Sequence, residues 1–456
     1  MHRLGIVPLL ALACSFCLGA PTAVAQAAEE GARPLDWPIE RVTLDNGLRV
    51  VMAPDSTSPT VAVAVTYDVG SRNEEPGRSG FAHLFEHMMF QGSANVAKGE
   101  HFKLIVARGG TVNGTTSTDR TNYFQVLPSS ELALALWLEA DRIKSLDVSV
   151  ENFENQRRVV QEEYRMRVAN AAYAPAQLRL YELAYEGYWP YSHPPIGTMK
   201  DLDDARIEWV RAFHDSYYAP NTAVLSIAGD FDPAEALELV RRYFGSAKRQ
   251  ENPIPFESAP FTGPDGPRKD VLVDQHAKTP AFYYGWVIPK AREPENYALQ
   301  LAARILADGD SSRLHRLLVR DRGLATQVHA GTGQRRGPDL FTIFVKLTEN
   351  ANLAEVQALV DAEIRALAEV GPTEAEMRKA WNRTEAAYLF GLQSNLSRAT
   401  RLGEYELFFG DARLLLEEPV RYASVTANDV RLAVKKWLVP ERRALVEAHP
   451  AASRKE

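Results

Sequence analysis

Cysteine is almost missing from this chain. It holds two, Cys14 and Cys17, both in an N-terminal stretch that reads as a leader. Without that stretch the protein has no thiol. It can build no disulfide, no thiolate metal site and no cysteine nucleophile. A basic excess is also lacking. Lysine plus arginine number 52 against 59 aspartates and glutamates, a formal net charge of −7. That balance argues against a nucleic-acid partner. Past residue 25, no uncharged apolar run approaches the roughly 20 residues that a membrane span needs. With 456 residues, 45% hydrophobic and 24% charged, the chain has material for two or three ordinary globular domains.

The first 25 residues have the layout of a secretory signal peptide. Arg3 is followed by an uncharged apolar run from Leu4 to Leu18, and Ala23-Val24-Ala25 offers small residues for cleavage before Gln26. Cleavage removes one positive charge, Arg3, and moves the formal charge from −7 to −8. The expected location of the mature protein is the periplasm, with no membrane span.

Residues 42–53 read as a hairpin turning at Asp45-Asn46-Gly47, and Val61–Tyr67 as a β-branched strand. A helix is expected from Ser79-Gly80 to about Phe90, and a second from about His101 to Arg108. Residues 111–127 alternate as one or two strands. Helical periodicity returns over 131–145 and over 149–170. Residues 251–267 carry five prolines in seventeen positions, which excludes helix and central strand and marks a linker. The expected domains are 34–250 and 269–450, joined by a linker over 251–268. The strand and helix around 60–90 are echoed by a strand over 280–288 and a helix over 297–307. That order implies an internal duplication, but Gln300-Leu301-Ala302-Ala303-Arg304 stands where chemistry-bearing residues would recur.

The densest chemistry lies in His83-Leu84-Phe85-Glu86-His87. Residues i and i+4 share one helix face, so both imidazoles can reach one ion, and Zn2+ suits such a pair. Glu86 is close enough to serve as general base. The pattern is H-x-x-E-H, the reverse of the commoner zinc signature. A catalytic zinc needs a third protein ligand. Glu162 and Glu163 stand side by side on the helix expected over 149–170. Adjacent helical residues diverge by about 100°, so one of them can face the ion, and spacing alone does not choose between them.

Together these segments resemble the M16 metallopeptidases, the family of pitrilysin, insulin-degrading enzyme and the mitochondrial processing peptidase. The length is most similar to the shorter, processing-peptidase-like branch. The family follows H-x-x-E-H with a glutamate ligand about 75 residues later, in a segment like E-R-x-V-V-x-x-E. Aligned through Arg157, Val159 and Val160, that ligand falls on Glu163, with 75 residues between it and His87. The segment's earlier carboxylate falls on Gln156, which carries no charge. Residues 109–123 resemble G-G-x-x-N-A-x-T-x-x-D-x-T-x-Y. The resemblance places Asn113, Gly114 and Thr115 on a strand that pairs with the substrate backbone, and Asp119 with Gln156 among the groups supporting the site.

The implied fold is α+β, as in LuxS and the processing peptidases. Two similar halves, each a mostly antiparallel sheet packed with helices, face each other around a peptide-binding chamber. The implied activity is zinc-dependent endopeptidase or oligopeptidase action on extended or unfolded peptides. Family members often carry an arginine and a tyrosine in the second half that help bind substrate. Here those positions hold Val319 and Thr326, and neither can replace the original donors. The expected partner is therefore a homologous subunit that supplies the pair, with this chain as the zinc subunit of a heterodimer. Alternatives are local replacement by Arg320 or Tyr405 in a protein working alone or as a homodimer, and a zinc-holding binding or assembly protein without turnover. His214 is expected to be structural.

Overall fold

The computed structural model describes residues 35–256 and 258–451. The expected signal peptide lies outside them. In the first half the order is β1 (Glu40–Thr43), β2 (Arg49–Pro54), β3 (Thr60–Tyr67), α1 (Phe81–Met88), α2 (Glu100–Val106), β4 (Thr111–Thr116), β5 (Thr121–Pro128), α3 (Leu132–Ser145), α4 (Val150–Tyr164), α5 (Ala174–Ala184) and β6 (Ala223–Gly229). A π-helical turn, Arg165–Ala169, extends α4. The second half adds β7 (Arg268–Asp274), β8 (Ala281–Ile288), α6 (Pro294–Ala307), β9 (Ala325–Thr332), β10 (Asp339–Leu347), α7 (Asn395–Phe409) and β11 (Ala444–Pro450).

The six-stranded sheet runs β1-β2-β6-β3-β5-β4 and the five-stranded sheet runs β7-β11-β8-β10-β9. The pairs β2/β6 and β7/β11 are parallel, and every other neighbouring pair is antiparallel. Apart from β1 the two orders correspond strand for strand, so the duplication read from the sequence is present in the topology. The strand and helix of 280–307 repeat β3 and α1.

Strand β3 shows how the sheet is built. Successive side chains point to opposite faces. Val61, Val63, Val65 and Tyr67 face the first half's own helices and share a core with Leu84, Phe85 and Met88 of α1. Ala62 and Ala64 face the other way, against Ala399 and Leu402 of α7 from the second half. Small residues let that helix approach closely. A Cβ on Gly403 would sit 2.7 Å from Ser226 Oγ and 2.8 Å from Thr66 Oγ1. A glycine in mid-helix costs about 1 kcal/mol relative to alanine, and here it permits contact between helix and strand.

The exchange is reciprocal. Helix α5 of the first half packs Ala176 and Leu180 against Ala281, Tyr283 and Val446 of the second sheet. Each sheet is thus covered on one face by its own helices and on the other by a helix from the other half. Burial on both faces explains why β3, β6 and β8 read as nearly continuous apolar runs.

The proline-rich segment has neither helix nor strand among its described residues. It is pinned by aromatics. The guanidinium groups of Arg72 and Arg336 both pack on the Phe256 ring, 4.1 and 4.0 Å from its centroid. Phe261 stacks on Tyr188 at 5.0 Å.

Candidate metal centre

Helix α1 starts where it does because its N-terminus is fixed by two remote carboxylates. Gly80 has φ +91°, which favours glycine. The buried Glu74 side chain accepts from the backbone N–H of Gly80 at 2.9 Å and of Ala82 at 2.8 Å. Asp201 accepts from the N–H and hydroxyl of Ser79, at 3.0 and 2.5 Å. These bonds satisfy donors that the helix leaves open. Burial pushes the Glu74 carboxyl group's pKa up, and its hydrogen bond with His193 opposes that shift.

On the opposite face of α1, His83 and His87 turn their Nε2 atoms to Glu163 of α4. The separations to Glu163 Oε2 are 3.7 Å and 3.4 Å. The ligand atoms of all three residues lie within 4.8 Å of one another. Three donors about 2.0–2.1 Å from a tetrahedral ion stand roughly 3.3 Å apart, so two imidazoles and a carboxylate in this arrangement fit Zn2+. Burial lowers the pKa of His83 to about 3, with His87 adding to the effect. Its ring is held neutral, the form that binds metal. Among the described residues no other group of three or more such side chains could hold an ion.

The helix turns the adjacent glutamates in different directions. Glu163 faces the histidines, while Glu162 forms an exposed ion pair with Arg165. The second carboxylate oxygen of Glu163 is held by Arg167, Nη1 to Oε1 at 2.8 Å. Gln156 sits behind His87, with Oε1 3.3 Å from Nδ1. Donation from Nδ1 to that oxygen leaves the Nε2 lone pair facing Glu163. Because such supporting bonds orient a ligand, Gln156→Ala is expected to weaken zinc affinity on the order of 10-fold, measured by competition with a chromophoric chelator. Unchanged affinity would leave Gln156 without a supporting role.

Glu86 is mostly buried. Burial raises its pKa, and a hydrogen bond from Thr116 opposes the rise. That bond, Thr116 Oγ1 to Glu86 Oε2, is 2.5 Å long. Asn113, Gly114 and Thr115 lie on β4, the outermost strand of the sheet. They line the same cavity as His83, Glu86, His87 and Glu163, a space of about 1070 Å³ whose far wall includes Arg158, Val159, Met166 and Arg167.

Asp119 is not brought to this centre. Buried at the β4–β5 turn, it accepts from Tyr191 Oη at 2.8 Å and from the backbone N–H of Arg336 at 3.0 Å. Arg336 in turn binds Asp68 at 2.7 Å. Asp119 therefore joins the two halves instead of supporting a metal ligand. All described residues lining the cavity come from the first half. Val319 packs against the second core. Thr326 is exposed on β9, its hydroxyl 3.3 Å from Lys346 O. Arg320 pairs with Asp321 at 2.8 Å. Tyr405 packs in the core shared by α7 and the first sheet, where burial, followed by the nearby Glu418 charge, pushes its pKa well up. His214 is stacked near Phe85 and Tyr218, away from the two imidazoles.

Arg167 and Glu74 were not singled out in the sequence, and Thr116 entered it only as the threonine of the G-G-x-x-N-A-x-T pattern. Arg167 has a readable signal, the i,i+4 spacing from Glu163. Thr116 acts across 30 residues and Glu74 across a loop, so no local spacing reports what either one binds.

Two family models match this chain. Residues 49–188 match "Insulinase (Peptidase family M16)" and residues 205–383 match "Peptidase M16 inactive domain". The zinc protease PqqE of Helicobacter pylori is 31% identical over 399 residues, covering 86% of this chain and 89% of that protein. A protein of Mycobacterium leprae called an uncharacterized zinc protease is 29% identical over 418 residues, covering 91% and 92%. The crystal structure of a protease from Helicobacter pylori superposes with a TM-score of 0.86 at 29% identity, covering 91% of this chain and 100% of the other.

Proposed function

This chain belongs to peptidase family M16, and from that premise we propose that it is a zinc-dependent endopeptidase acting on extended or unfolded peptides. One observation carries the reading: His83, His87 and Glu163 converge, with the Glu86 carboxylate in the same cavity. Zinc bound there supplies a Lewis acid that polarises the scissile carbonyl and lowers the pKa of water. Glu86 takes the proton of the attacking water and passes it to the leaving amine. The substrate adds as a strand to the open edge of β4 at Asn113–Thr115. Backbone pairing of that kind carries little sequence preference, so side-chain pockets set selectivity.

The proposal includes a partner and a location. Valine and threonine at 319 and 326 leave this chain without the family's arginine and tyrosine, and neither Arg320 nor Tyr405 lines the cavity. A homologous subunit supplying both donors completes the site in a heterodimer. The leader over residues 1–25 directs the chain to the periplasm. Loss of those same donors also favours the second reading, a zinc-holding assembly protein, which has no need of Glu86 as a base.

The test is cleavage of an unfolded peptide by the purified chain, alone and with its co-expressed homologue. The proposal predicts zinc-dependent cleavage that rises on adding the homologue. Full activity of the isolated chain removes the heterodimer. No cleavage by the zinc-loaded pair selects the assembly protein.

A further inference from the structure

We propose that Thr116 is the positioning residue for the Glu86 carboxylate, and that Gly114 and Thr116 together form the seat on which this base is aimed. The inference rests on the peptidase reading above. Side chains alternate along β4. Asn113 and Thr115 are exposed, whereas Gly114 is buried and Thr116 half-buried on the other face. That inner face meets α1. Thr116 Oγ1 donates to Glu86 Oε2 at 2.5 Å. Among the described residues it is the one hydrogen-bond partner of this carboxylate.

Gly114 completes the seat by what it omits. A Cβ there would lie 3.1 Å from Glu86 Cγ and 3.3 Å from Glu86 Oε1. The family pattern carries alanine at this position, so this chain leaves more room beside the base. With that room open, the hydroxyl of Thr116 is what fixes the carboxylate from the strand side. Oε2 is anchored and Oε1 is left free to carry a proton. The strand whose edge aligns the scissile bond also aligns the base, so both keep one register.

Thr116→Val removes the hydroxyl and keeps the β-branched shape, so strand preference and packing are preserved. Thr116→Ser restores the hydroxyl on a smaller side chain. A base misplaced by about 1 Å loses on the order of 100-fold in rate. The valine variant is therefore expected to lose about 10- to 100-fold in kcat, with KM, zinc content and melting temperature unchanged. The serine variant should recover most of the loss. Wild-type kcat in the valine variant overturns the proposal. So does a loss shared by KM or zinc content, or one that serine does not repair.

Crystal structures of zinc-loaded wild type and Thr116→Val read the seat without turnover. The Glu86 carboxylate should shift in the variant, and an identical position in both overturns the proposal. Wild-type protein that cleaves nothing while its seat is intact contradicts the peptidase reading alone.

Discussion

Glu86→Gln is expected to lower peptide hydrolysis by about 10²–10⁴-fold, the usual contribution of a general acid–base group. Zinc content and fold should be unchanged. The substitution is nearly isosteric, and the amide oxygen can still accept from Thr116. Glu86 is not among the three ligands, so the ion loses no bond. Because burial already disfavours the charged carboxylate, a neutral amide removes a desolvation cost, and the variant should melt at or above the wild-type temperature. Only proton transfer is lost, since an amide cannot take a proton from water at neutral pH. Steady-state kinetics on an unfolded peptide, with zinc assayed on the same samples, check this. Wild-type turnover in the variant would remove Glu86 from the mechanism and favour another base.

Glu163→Ala should do different damage. It removes the third ligand and leaves two imidazoles, too few for a catalytic zinc. It also leaves the Arg167 guanidinium without its carboxylate partner. Zinc affinity should fall by more than the roughly 10–100-fold typical of supporting residues. Activity should vanish after dialysis. Glu162→Ala is the matched control one residue away. Its carboxylate pairs with Arg165 and faces no ligand, so affinity and activity should stay near wild type. Metal retention through gel filtration, read by emission spectroscopy, separates the two. Loss of zinc from the Glu162 variant with retention in the Glu163 variant would reverse the assignment.

Much of this organisation is legible in the residues because it is local. The Asp45-Asn46-Gly47 turn, the alternation over 111–127 and the i,i+4 histidines each act within a few positions. They became β1–β2, β4–β5 and the ligand face of α1. Spacing alone left the third ligand as a pair of candidates, and the resemblance through Arg157, Val159 and Val160 placed it on Glu163. Which of two neighbours faces the ion depends on how α4 rotates against α1, and that is set by packing. The exchange of α5 and α7 between the halves was not legible. Amphipathicity tells a helix to bury a face but not which sheet will cover it. One trace of it was there to read, the alternation of Ala62 and Ala64 with Val61, Val63 and Val65. Small residues on one strand face anticipate a closely packed helix. Asp119 lies in a motif beside the site and points elsewhere, because sequence proximity to β4 does not fix the direction of a turn residue.

The most direct test of the centre is anomalous diffraction from crystals of active protein, collected on both sides of the zinc absorption edge. The account predicts one peak about 2.0–2.2 Å from the Nε2 atoms of residues 83 and 87 and from a carboxylate oxygen of residue 163. A peak at other side chains, or no peak in protein that still cleaves peptide, would contradict it.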